Sequence, residues 1–130
     1  MATLEQERAA FALKKVDEVV KSGRDKAKFK TQLLKLPARL HNNGLGQTVA
    51  FYLSAGRGKP EFTICDWIET WLREQKIYET GTLIQGITGQ NTPPDEAESR
   101  YREASVEVRA LAVWLKRFAE AFVEGEEEPK

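Results

Sequence analysis

One cysteine, one histidine and one methionine occur in 130 residues. The lone Cys65 excludes an internal disulfide framework and any CxxC metal pair, and it fits a reducing compartment, so a cytoplasmic location is expected. Beside Asp66 it reads as inert helical packing. All histidine chemistry would fall on His41, which has neither a GxSxG-like context nor an HExxH or ExxH partner. No apolar run approaches the ~20 residues that span a bilayer. The opening MATLEQERAAF shows no basic start followed by an apolar core, so no signal peptide is expected. The loop Ala55-Gly56-Arg57-Gly58-Lys59 lacks the GxxxxGK[ST] order of a phosphate loop. Hairpin signals are missing too, since the one Asn-Gly pair, Asn43-Gly44, lies between helical patterns. These absences predict no catalytic residue, no metal, no cofactor and no membrane partner: the chain reads as a non-enzyme.

What is present is charge, unevenly placed. Residues 1–60 hold 12 Lys/Arg and 5 Asp/Glu, a net +7, and residues 61–130 hold 8 and 15, a net −7. The zero total therefore hides a basic half suited to a polyanion and an acidic half suited to a basic protein neighbour. Solvated helix faces are the plain alternative. Basic residues from Lys14 to Arg39 nonetheless run through two consecutive helical segments.

The rest of the pattern is helical. Thr3 to Ser22 places Ala9, Leu13, Val16 and Val20 at 3–4 residue spacing, with Thr3 as cap and Gly23 as end. A second helix starts near Asp25 and aligns Phe29, Leu33, Leu36 and Leu40, with Lys26, Lys28, Lys30 and Lys35 over the rest. Pro37 predicts a kink or a split. A third helix covers about Leu45 to Ser54. A fourth, Pro60 to Lys76, carries Ile64, Trp67, Ile68, Trp71 and Leu72 on one face and reads as core. Tyr78 to Pro94 is rich in Gly, Thr and Pro and reads as a loop with room for one helical turn, mobile or ordered by a partner. The last helix starts at Pro94 or Asp95. Its stripe is Ala97, Tyr101, Ala104, Val108, Leu111, Leu115, Phe118 and Phe122, nearly four heptads. Val106, Ala110, Val113 and Trp114 lie off it, as expected of a central helix or one offering a contact surface. The fold class is thus all-α, a compact bundle of about five to six helices in one domain over 1–124. Residues 125–130 read as a disordered acidic tail.

The densest information lies in LPARLHNNGLGQTVAFYL, Leu36–Leu53. Asn42, Asn43 and Gly44 form a helix stop. Gly46 lets a backbone or a phosphate come close. Such a polar corner after a basic segment is either a helix–helix turn or a contact site. The stretch Leu36–Phe51 resembles the hallmark of the small helical subunit of the type III-B CRISPR effector, the Cmr (RAMP module) complex. Glu7–Val19, ERAAFALKKVDEV, is similar to that family's first helix, and Ala110–Phe122, ALAVWLKRFAEAF, to its last. The resemblance implies a non-catalytic subunit acting in antiviral defence. In that family several copies stack beside the backbone subunits that hold the guide RNA and form a filament with a groove for target RNA, and the resemblance implies the same here.

Charge and resemblance lead to one expectation: a structural subunit contacting guide or target RNA through phosphates, with little base reading of its own. The candidate RNA-binding residues are Lys14, Lys15, Lys21, Lys28, Arg39, Arg57, Lys116 and Arg117. Asn43 and Gln47 are the candidate contacts to a partner, either the backbone subunit or another copy of this chain. The alternative is a helical protein–protein adaptor whose lysines serve solubility alone.

Overall fold

The computed structural model describes residues 1–125, and the expected tail lies outside them from residue 126 onward. Five helices follow in order: α1 (Leu4–Ser22), α2 (Lys26–Leu53), α3 (Pro60–Glu74), α4 (Leu83–Ile87) and α5 (Ala97–Phe122). There is no strand among the described residues. The all-α expectation holds.

Local chemistry explains most boundaries. Thr3 caps α1 by accepting from the Gln6 amide, while the Gln6 side chain accepts from the Thr3 amide. This reciprocal box satisfies two amides that a helix start leaves free. Gly23 closes α1 in the left-handed region at φ 69°. Pro60 opens α3 at a position that needs no amide donor. That helix stops at Glu74, short of the expected Lys76, where Lys76 itself turns left-handed at φ 59°.

The core corrects the phase of the first helix. Ala12, Val16 and Val19 are buried, whereas Leu13 and Val20 are exposed. The 3–4 spacing fits both faces of α1, and packing against α5 selects the one holding Ala12. The α2 stripe Leu33, Leu36 and Leu40 and all five expected α3 residues are buried. Phe29 of α2 stacks on Trp67 at 5.6 Å, and Phe11 of α1 tilts against Trp71 at 4.9 Å, so two helices grip the tryptophan face of α3. Lys30 departs from the expected solvent face and is buried.

Pro37 does not split α2. The only non-helical residue inside that helix is Gly44, at φ 82° and ψ 168°. Asn42 and Asn43 stay helical, so the expected three-residue stop is a one-residue break between two limbs. Residues with side chains hardly ever adopt that backbone conformation. Gly44→Ala is therefore expected to lower stability by about 1–2 kcal/mol in a denaturation series. Gly46→Ala, on ordinary helical backbone, should cost less.

The long connection after α3 is held by the protein itself, not left mobile or waiting for a partner. Tyr78 and Leu83 are buried. Thr82 and Gln85 form a second capping box on α4. The Leu83 amide donates to Glu69 Oε2 at 2.7 Å, and Arg73 and Arg100 donate to the carbonyls of Gly81 and Ile77 at 2.8 and 3.1 Å. α5 packs on α1, α2 and α3, and is central as expected. It runs antiparallel to α2, with Gly125 against Ala27 at one end and Tyr101 against Gly46 at the other. Its off-stripe residues Val106 and Val113 face outward, as does Phe122 at the end of the stripe.

Candidate nucleic-acid interface

The break at Gly44 frees backbone groups that helix bonding would otherwise use. The Gly46 amide donates to the Tyr101 hydroxyl at 2.9 Å, and the Thr48 hydroxyl donates to the Arg39 carbonyl at 3.1 Å. The close approach expected at Gly46 is thus made by a tyrosine of α5: a Cβ there would lie 3.4 Å from the Tyr101 hydroxyl.

Arg39 is turned onto its own fold. It donates to Gln32 Oε1 and to the Tyr52 hydroxyl, and its guanidinium lies 5.2 Å from the ring centre of Phe51 and 5.4 Å from that of Tyr52. The Tyr52 hydroxyl in turn donates to the Gln32 carbonyl at 2.8 Å. Burial pushes the Tyr52 phenol up to about 12, so it stays a neutral donor. A cation over two ring faces and in two hydrogen bonds is fixed in orientation.

The other predicted cations are spread over the surface. Lys28 lines a groove of about 370 Å³ together with Thr31, Gln32, Lys59, Pro60 and Glu61. Arg57, two residues before Lys59, stacks on Phe62 at 5.8 Å. Lys14 and Lys15 line a different groove beside Glu7 and Glu74. There Lys15 also lies over Phe11 and pairs with Glu18 at 3.5 Å. Lys21 pairs with Asp17 at 2.9 Å, and Arg117 with Glu120 at 3.4 Å. Arg117 lines a third groove with Glu5, Arg8 and Trp114, and Lys116 is half-buried one residue earlier on α5. Lys28 and Lys59 thus come together, Arg57 precedes Lys59 on the same loop without lining the groove, and the remaining cations do not join them. Asn43 and Gln47 are both exposed, on either side of the break.

Three residues of this region escaped the sequence reading. Lys59 sits in a loop that lacks the phosphate-loop order, Gln32 carries no signal of its own, and Phe51 belongs to an apolar run. Its phase could have found it: Phe51 sits four residues after the polar Gln47 and is 59% exposed. Cys65 is buried, its Sγ directed at the Val49 carbonyl at 3.8 Å. Burial pushes its thiol up to about 12, far from a reactive thiolate. Among the described residues no three His, Cys, Asp or Glu side chains gather to hold a metal, and no helix is long and apolar enough to cross a membrane.

The family model for CRISPR-associated protein (Cas_Cmr5) matches residues 4–122. The chain belongs to this family. It is accordingly a subunit of the type III-B CRISPR Cmr complex and associates with the other Cmr subunits. The match runs from the first residue of α1 to the last of α5, taking in both limbs of α2 and the basic groove.

Proposed function

We propose that this chain is a non-catalytic subunit whose copies stack beside the backbone subunit in a filament and touch target RNA through the groove lined by Lys28 and Lys59. The observation that carries the reading is the convergence of these lysines from the first turn of α2 and from the loop before α3. Two cations along a groove match successive phosphates, although Glu61 at the same groove weakens the field there. Lys15, Lys21 and Arg117 serve as secondary contacts, since each must exchange an acid on its own helix for a phosphate. Lys14 and Lys116 complete that outer set. Asn43 and Gln47 face a neighbouring subunit.

The test is target-RNA binding by the assembled Cmr complex across a salt series. Each phosphate contact contributes a slope of about 0.7 for single strands. Lys28→Glu with Lys59→Glu should therefore weaken binding and reduce the slope by about 1.4. An unchanged slope, with the subunit still incorporated, would sink the RNA reading in favour of the protein adaptor.

A further inference from the structure

From the side chains beside the basic groove, we infer that Phe51 is a stacking platform for a base of the single-stranded RNA whose phosphates lie along Lys28 and Lys59. The inference rests on the RNA reading above and adds to it a base contact.

Three observations converge. Phe51 is the most exposed aromatic side chain among the described residues, at 59% against 54% for Phe122, although it lies between the buried Val49 and Tyr52 of the second limb of α2. Its ring is already ordered, with the Arg39 guanidinium 5.2 Å from its centre and Tyr52 tilted at 6.2 Å. A held ring loses little freedom when a second flat group is added. The third observation is continuity. Gln32 lines the basic groove and its side chain accepts from Arg39, so a two-link chain joins the phosphate track to the aromatic stack. A cationic groove running beside an exposed ring is the arrangement that binds single strands without reading sequence, because every base has a π-face. Arg39 adds positive charge at the ring, complementary to an anionic strand and to the electron-rich face of a base. The occupant is thus an unpaired base of that strand with a free face, since a base stacked between its neighbours in a helix offers none.

The assembled complex is the material for the test, with Phe51→Ala, Phe51→Leu and Phe51→Trp compared in target-RNA binding over the salt series. Loss of one stacked base costs on the order of a five- to a hundred-fold weakening. That loss is expected for Phe51→Ala and largely for Phe51→Leu, which keeps apolar bulk without a π-face. Phe51→Trp should bind as tightly as the parent or tighter. The salt slope should stay unchanged in all three, since no phosphate contact is removed. Target RNA carrying 5-iodouridine should photo-cross-link to Phe51 in the parent complex. Unchanged binding in Phe51→Ala, alongside a reduced slope in the Lys28 and Lys59 variants, would overturn the stacking inference and leave the phosphate reading standing. If the lysine variants also bind normally, both fall. Failure of Phe51→Ala to enter the complex would assign the ring to a protein interface with Asn43 and Gln47, and would equally overturn the inference.

Discussion

Arg8→Ala should be the most damaging single substitution on the surface of α1, lowering stability by roughly 3 kcal/mol and the melting temperature by roughly 10 °C. The guanidinium grips Glu107 of α5 with Nε at 2.6 Å and Nη2 at 2.9 Å. The same carboxylate accepts from Trp71 Nε1 of α3 at 3.1 Å. One buried acid therefore ties three helices. A bidentate ion pair of this kind is shielded from screening. Removing Arg8 leaves a carboxylate that is only 7% exposed with a single indole donor, and an unpaired buried charge is costly. Arg8→Lys should recover only part of the loss, because an ammonium cannot reproduce the planar fork. Thermal melts of the three proteins decide it. A shift under 2 °C for Arg8→Ala would mean that Glu107 finds water instead.

The same clasp fixes a pH dependence. Hydrogen bonding to Arg8 holds the Glu107 carboxyl below the ordinary glutamate range, against the opposing effect of burial. A carboxyl whose folded value is lowered adds stability above its unfolded value, about 4.3, and that stability is lost as pH falls through the folded value. Glu107→Gln should therefore flatten the acid limb of a urea-midpoint curve measured from pH 6 to pH 3. Arg8→Ala should reverse the trend. With its cation gone, burial raises the Glu107 carboxyl, and the variant should regain stability as pH drops from 7 to 5. If the wild type and Glu107→Gln have parallel acid limbs, the ion pair carries no linkage.

Neither the clasp nor the face of α1 that it anchors was legible from the residues. Arg8 and Glu107 are separated by 99 positions, and Glu107 lies between two valines with nothing to mark it as inward. Periodicity worked where one face is apolar and the other plainly polar. Ile64, Trp67, Ile68, Trp71 and Leu72 could be placed in the core for that reason. It failed on α1, where Leu13 and Val20 offer a second stripe as apolar as the buried one, and only the neighbour chooses. Pro37 looked like a breaker, and Gly44 alone broke the helix, because a fixed φ near −65° suits a helix whereas φ 82° does not. In the candidate site, residue type suggested a basic surface, but the grouping of Lys28 with Lys59 depends on the α2–α3 turn. The diversion of Arg39 onto Tyr52 and Gln32 depends on side chains 13 and 7 residues away. Charge can be counted in a sequence, whereas its direction is set by packing.

Gly86→Ala should cost about 3 kcal/mol, although alanine is the better helix former by roughly 1 kcal/mol. Gly86 is buried in α4, and a Cβ there would lie 2.6 to 2.9 Å from three atoms of the Tyr78 ring. No such contact is tolerated, so the ring or the helix must shift. The ring atoms concerned are at the root of the side chain, where rotation gives little relief, and Tyr78 is only 7% exposed. Moving it disturbs the Ile77 carbonyl that Arg100 holds and loosens α4 from Glu69. The loss should be confined to residues 78–94: amide hydrogen exchange there should quicken well before α3 or α5 is affected. Tyr78→Leu alone should also destabilise, by about 2 kcal/mol, through lost aromatic packing. The double variant is the discriminating case. If the clash is the cause, Gly86→Ala should be nearly neutral when leucine replaces the ring, giving a coupling of about 3 kcal/mol between the two positions. Additive losses would instead show that α4 needs glycine for its backbone, and that the Tyr78 ring is a bystander.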